Sequence, residues 1–159
     1  MAKVLITYYS RSGNTAKMAE FVAEGAREIQ GAEIDLKTVE ETDAESLADY
    51  DALLAGSPTY YGQMAAQVKD LFDKSVVLHG QLEGKVGGAF TSAANLGGGN
   101  ETAILSILQA MLIHGMIVQG TSQRDHYGPV AIGAPDDRAI GECRKLGRNV
   151  AELAVRLHG

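Results

Sequence analysis

Three hydroxyls, an amide, an arginine and a glycine stand side by side near the start of the chain, as Ser10, Arg11, Ser12, Gly13, Asn14 and Thr15. They follow the short apolar run Val4-Leu5-Ile6. They precede a stripe of Met18, Ala19, Val22, Ala23 and Ala26, spaced three and four apart as on one face of a helix. A strand that turns directly into a helix in this way aims several backbone N–H groups and the positive end of a helix dipole at one point. That is the environment a phosphate needs. The loop has neither the Gly-Lys-Ser/Thr ending of a triphosphate loop nor the G-x-G-x-x-G of a dinucleotide fingerprint. The expected guest is a phosphate monoester held mostly by neutral donors. The plainer alternative is an ordinary capped turn.

Two further loops carry unusual chemistry. Ser57-Pro58-Thr59-Tyr60-Tyr61-Gly62-Gln63 places adjacent tyrosines between a proline that stiffens the chain and a glycine that permits a tight turn. Either the rings stack on a flat aromatic ligand, or one fills core while the other meets solvent. Thr91-Ser92-Ala93-Ala94-Asn95-Leu96-Gly97-Gly98-Gly99-Asn100 is rich in small residues immediately after a buried strand. Small side chains let backbone N–H groups reach the acceptors of a planar ligand. A flexible surface loop has no need of them there.

The elements that must position these loops follow from periodicity. Strands are expected at Lys3 to Tyr8, Ala32 to Thr38, Ala52 to Gly56, Val86 to Thr91 and Met116 to Val118. Helices are expected at Thr15 to Ile29, Ala65 to Leu78, Glu101 to His114 and Asp136 to Leu157, with Val39 to Tyr50 an acidic connector and Gln119 to Pro135 irregular. The third helix should bury Ile104, Leu105, Leu108, Met111 and Leu112. The last should bury Ile140, Cys143, Leu146, Val150, Leu153 and Leu157. This βαββαβαβα order implies a parallel sheet covered by helices on both faces, an α/β fold in one domain over residues 1–159. In open sheets of this kind ligands bind beyond the carboxyl ends of the strands. All three unusual loops fall at that edge.

Composition narrows the classes. A formal net charge of −6 disfavours nucleic acid as a partner. The single cysteine, Cys143, excludes an intrachain disulfide and fits a reducing compartment. No apolar run approaches the ~20 residues of a membrane span, and the N-terminus does not read as a signal peptide. A cytoplasmic protein without membrane insertion is the expectation. Four scattered histidines have no metal-ligand spacing, so no metal is expected.

These loops, together with AKVLITYYS, AEGA, LADYDALLAGSPTYYG, LGGGNE, IHGM and HYG, make the chain resemble the flavodoxin-like FMN proteins. It is most similar to the WrbA-type NAD(P)H:quinone oxidoreductases. The resemblance implies a three-layer sandwich with a five-stranded sheet in the order 2-1-3-4-5. It implies that Ser10 to Thr15 hold the FMN phosphate. Pro58, Thr59, Tyr60, Tyr61 and Gly62 would line the ribityl chain and ring, and Ser92, Ala93, Ala94, Asn95, Gly97 and Gly98 would contact ring and tail. His79 falls where the family places an aromatic over the substrate pocket, and Tyr127 faces the same pocket. It further implies NADH or NADPH as transient reductant, a quinone as acceptor, and a homo-oligomer, dimer or tetramer. The chain departs from the family in its short Val39 to Tyr50 connection, in a third loop one residue longer, and in Ile113, which stands where a flavin-touching histidine is common. His114 matches the next position.

Two functions share this fold. One is an enzyme moving hydride from a nicotinamide through FMN to a quinone. The other is a flavodoxin-type carrier of single electrons. Aromatics occur in the second loop but not the third, which leaves one ring face open for a flat substrate. Neither ring-side loop carries a carboxylate before Glu101, so negative charge on a reduced ring meets no anion. Both features favour the enzyme. His79, His126 and Tyr127 are candidate proton donors to a quinone oxygen, although water can also serve.

Overall fold

The apolar runs form the middle of a parallel sheet in a computed structural model that describes residues 1–159. The strands are β1 (Ala2–Tyr8), β2 (Ala32–Thr38), β3 (Ala52–Pro58), β4 (Val86–Ala93), β5 (Ile117–Val118) and β6 (Val130–Ile132). The helices are α1 (Asn14–Arg27), α2 (Ala66–Lys74), α3 (Asn100–Ile113) and α4 (Asp137–His158). The order is β2-β1-β3-β4-β5, as expected, and every pairing is parallel. β3 and β4 are buried almost throughout, whereas β2 at the edge is half-buried. Continuous burial on both faces suits strands covered by helices, and partial burial suits an edge strand.

The sixth strand corrects the expectation that Gln119 to Pro135 is irregular. β5 pairs with Val86 and Gly87 at the start of β4, and β6 pairs with Thr91, Ser92 and Ala93 at its end. The two are halves of one edge strand, interrupted by residues 119–129. No apolar periodicity marks a three-residue strand, so the sequence conceals it. The interruption is pinned at its base. Asp125 accepts the Val130 N–H at 2.9 Å and the Arg138 guanidinium at 2.7 Å, and Arg138 donates to the Val130 carbonyl at 2.6 Å.

Two apolar clusters flank the sheet. One joins α1 and α4 to the sheet through Val4, Ile6, Met18, Val22, Leu54, Phe90 and Val150. The other joins α2 and α3 through Leu5, Leu53, Val68, Leu71, Ile104, Ile107 and Met111. The helix faces differ in part from the expected stripes. Leu112 and Leu157 are exposed, while Ala103 and Ile107 are buried on α3, and Ala139, Gly147, Ala151 and Ala154 on α4. α4 presents its small residues because it crosses α1 closely. A Cβ on Gly25 would stand 2.0 Å from the Arg144 carbonyl oxygen, and one on Gly147 would stand 2.0 Å from that of Val22. Val39 to Tyr50 contains two short 3₁₀ turns, the first closed by a capping box between Thr38 and Glu41. No helix is long and apolar enough to cross a membrane.

Buried His114 ends α3. Ser75 donates its hydroxyl to the Phe72 carbonyl at 2.6 Å, so its oxygen accepts from Nε2–H of His114 at 2.7 Å, and Nδ1 has no partner. Burial holds the imidazole below its ordinary pKa of 6.5, with His79 adding a smaller push. The folded state therefore resists a proton that the unfolded chain accepts. Stability is expected to be flat above pH 6.5 and to fall as pH drops below it. The fall levels once the native imidazole itself protonates. Denaturation midpoints at pH 7.5 and 5.5 measure the loss, and His114→Asn should reduce the difference between them.

Candidate functional site

The first loop is built as an open donor cradle. Gly13 precedes α1 at φ 95°, a left-handed conformation that glycine takes without cost. No side chain caps α1, which leaves its first-turn N–H groups for a ligand. A Cβ on Gly13 would meet nothing within 4 Å, so the space before the helix is clear. Ser10 Oγ accepts the Gly13 N–H at 3.1 Å, and its own proton remains to donate outward. Arg11 and Ser12 are exposed. Thr15 is buried, and its hydroxyl lies 2.7 Å from that of Ser92, which ties this loop to the third.

The second loop is a tight hairpin. Tyr60 and Gln63 exchange N–H···O bonds of 3.0 and 3.1 Å, with Tyr61 (φ 49°) and Gly62 (φ 75°) at the turn. Two successive left-handed residues define a type I′ turn. It lifts Tyr61 fully into solvent, while Tyr60 is only partly exposed. Neither ring is a core residue. The base of the hairpin is fixed by hydroxyls. Thr91 gives its proton to the Ser57 carbonyl at 2.7 Å, so Thr59 donates to Thr91 at 2.8 Å. The Thr59 oxygen keeps lone pairs with which to accept from a ligand hydroxyl.

The third loop is firmly held. Buried Asn100 accepts the Gly97 N–H and donates to the Asn95 carbonyl, both at 3.2 Å. A Cβ on Gly99 would lie 2.4 Å from Cα of Gly62, so the second and third loops touch backbone to backbone. Ala94, Asn95, Gly97 and Gly98 remain exposed along the rim. Beside this loop lies a depression of about 490 Å³, bounded by Leu96, Asn100 and Glu101 on one side and by His126, Tyr127 and Gly128 on the other. Asn100, Thr91 and Ser57 position the loops but do not stand out in the sequence. Only the place of Asn100 straight after three glycines, at the head of a helix, hints at its part.

The structure thus brings together Ser10 to Thr15, Pro58 to Gly62 and Ser92 to Gly98 at one rim, with Tyr127 beside the third loop. It does not bring His79 there. α2 starts at the rim and runs back toward the opposite edge, and a 3₁₀ turn over Ser75–Leu78 carries the chain on. His79 lies with its ring centroid 6.3 Å from that of His114, at the far end of α3 from Asn100. That helix has 14 residues, which makes it about 20 Å long. His79 instead borders a separate groove between α2 and α3 with Met64, Phe72 and Ile113.

The rim as a whole can take a phosphate tail at α1, a polyol chain at Thr59 and a flat ring beside the tyrosines. These are the marks of a mononucleotide-binding α/β protein. The model of the flavodoxin domain matches residues 5–96. A flavodoxin of Aquifex aeolicus is 43% identical, with 100% of this chain and 91% of that protein covered. An NAD(P)H dehydrogenase (quinone) of Caulobacter vibrioides is 38% identical over 100% of both. Among solved structures, the flavodoxin, WrbA-like protein of Agrobacterium tumefaciens superposes with a TM-score of 0.83 at 26% identity, covering 99% of each chain. The chain belongs to the flavodoxin domain family.

Proposed function

We propose that this protein is an FMN-dependent NAD(P)H:quinone oxidoreductase. The observation that carries the reading is the convergence of three loops on one rim with a carboxylate in neither ring-side loop. Full-length similarity to the dehydrogenase of Caulobacter vibrioides supports it. When bound, FMN supplies a carrier that accepts two electrons from a nicotinamide and passes them to a quinone.

The chain's own residues bind and orient. The first-turn N–H groups of α1, with the hydroxyls of Ser10, Ser12 and Thr15, hold the phosphate. Thr59 accepts from the polyol chain. Backbone of Ser92 to Gly98 donates to the polar edge of the ring, which favours charge there as it accumulates. Tyr60 and Tyr61, both exposed at the rim, would stack against the ring, and the third loop, which has no aromatic, would leave room for nicotinamide and quinone in turn.

A second reading, a carrier of single electrons, is favoured by the similarity to the flavodoxin of Aquifex aeolicus. Anaerobic titration with NADH and NADPH, followed by a panel of acceptors, separates the two. The enzyme should release FMN rather than FAD on denaturation, and should reduce benzoquinone faster than a one-electron protein acceptor. Half-reduced protein accumulating during titration, with negligible quinone reduction, would decide for the carrier.

A further inference from the structure

The interruption of the edge strand holds an imidazole in a defined orientation beside the third loop. Thr121 donates its N–H to the His126 carbonyl at 3.2 Å, and the His126 ring returns through Nδ1 to the Thr121 carbonyl at 2.9 Å. One bond joins the two backbones and the other ties the imidazole to the Thr121 carbonyl. A carbonyl only accepts, so Nδ1 carries a proton in both charge states. Nε2 is therefore the site where this histidine gains or loses its proton. His126 borders the depression that Leu96 and Asn100 of the third loop bound on the other side.

Charged groups face the ring from its own segment and from two helices. Arg124, Asp125 and Tyr127 flank it on its own segment, and α3 contributes Glu101. α4 and its cap contribute Asp136 and Arg138, with Glu142 and Lys145 beyond. Lys145 pairs with buried Glu142 at 2.7 Å, and Arg138 with Asp125, also at 2.7 Å. Asp136 caps α4 by accepting the Ala139 N–H. Arg124 also lies 4.0 Å from Glu142, which leaves Glu101 and the capping Asp136 outside these ion pairs.

We propose that His126 is a catalytic acid that protonates the quinone oxygen, and this rests on the oxidoreductase reading above. Reduction of a quinone to a hydroquinone takes two electrons and two protons. A hydride equivalent delivers both electrons and one proton. The second proton comes from Nε2–H of the imidazolium: that N–H bond breaks with its electron pair left on nitrogen, and an O–H bond forms on the quinone. Water restores the proton to the neutral ring.

The test uses the FMN-loaded protein, reduced anaerobically with NADH and then mixed with benzoquinone or, in parallel, with ferricyanide, which takes electrons without protons. His126→Gln should slow reoxidation by benzoquinone about a hundredfold and leave ferricyanide and the reduction by NADH unchanged. Added imidazole should partly restore His126→Ala. Nitrogen NMR of the unloaded protein should find neutral His126 protonated at Nδ1. An unslowed variant, or a neutral ring protonated at Nε2, overturns the proposal alone. Failure of the unaltered protein to reduce benzoquinone overturns this proposal and the oxidoreductase reading together.

Discussion

Gly13→Glu is expected to lower FMN affinity by about a thousandfold while leaving the protein folded. The position is open, since a Cβ there meets nothing within 4 Å, so bulk alone does not unfold the chain. The cost arises from charge. A carboxylate about 4 Å from a phosphate, at the dielectric of a protein surface, repels it by about 4 kcal/mol. That is the stated thousandfold. The left-handed backbone adds about 1 kcal/mol of strain for any side chain. Gly13→Ala separates the two contributions: it should weaken binding only several-fold. Fluorescence titration with FMN gives the affinities, and circular dichroism reports the fold. Unchanged affinity in the glutamate variant would remove the phosphate from this loop.

Gly147→Ala is expected to lower the Tm by about 10 °C, whereas Gly141→Ala on the same helix should raise it slightly. The new methyl at 147 would lie 2.0 Å from the Val22 carbonyl oxygen and 2.8 Å from the Ala26 nitrogen. Both neighbours are backbone of α1, which cannot rotate aside as a side chain can. The helices must separate by about an ångström, loosening a packed core at a cost of about 3 kcal/mol. For a chain of this size each kcal/mol shifts the midpoint by roughly 2–4 °C. Gly141 has nothing within 4 Å and gains only helix propensity, about 1 kcal/mol. Thermal unfolding of the two variants compares identical chemistry in two settings. Equal midpoints would mean that the crossing of α1 and α4 is looser than described.

How much of this was legible in the sequence depended on the range of the signal. The strand cores at Val4-Leu5-Ile6 and Ala52-Leu53-Leu54, the order of every element but β6, and the three rim loops are local patterns, and each could be read from its own residues. The faces of α3 and α4 were read less well. Leucine was expected inward at 112 and 157, yet α4 buries alanine and glycine because α1 lies too close for anything larger. That choice is made by a partner helix about 120 residues away in sequence. His79 is a similar case. Its place along the chain, where the family has an aromatic over the substrate pocket, suggested the rim, but the direction of α2 decides which end of the sheet it reaches. The Asn100 clasp and the Thr59–Thr91–Ser57 chain depend on pairs of side chains that only the folded chain makes neighbours.

The divided edge strand separates two jobs that a continuous strand would have to combine. β5 and β6 hold the register against β4, so the frame does not depend on what the intervening residues are. Residues 119–129 form an excursion held at three points: the Asp125–Arg138 clamp, the paired Thr121–His126 bonds, and Gly128, where a Cβ would stand 2.0 Å from the Ala89 carbonyl oxygen. A change in this excursion alters the depression beside the third loop and leaves the Ser10 to Thr15 loop, three strands away, as it was.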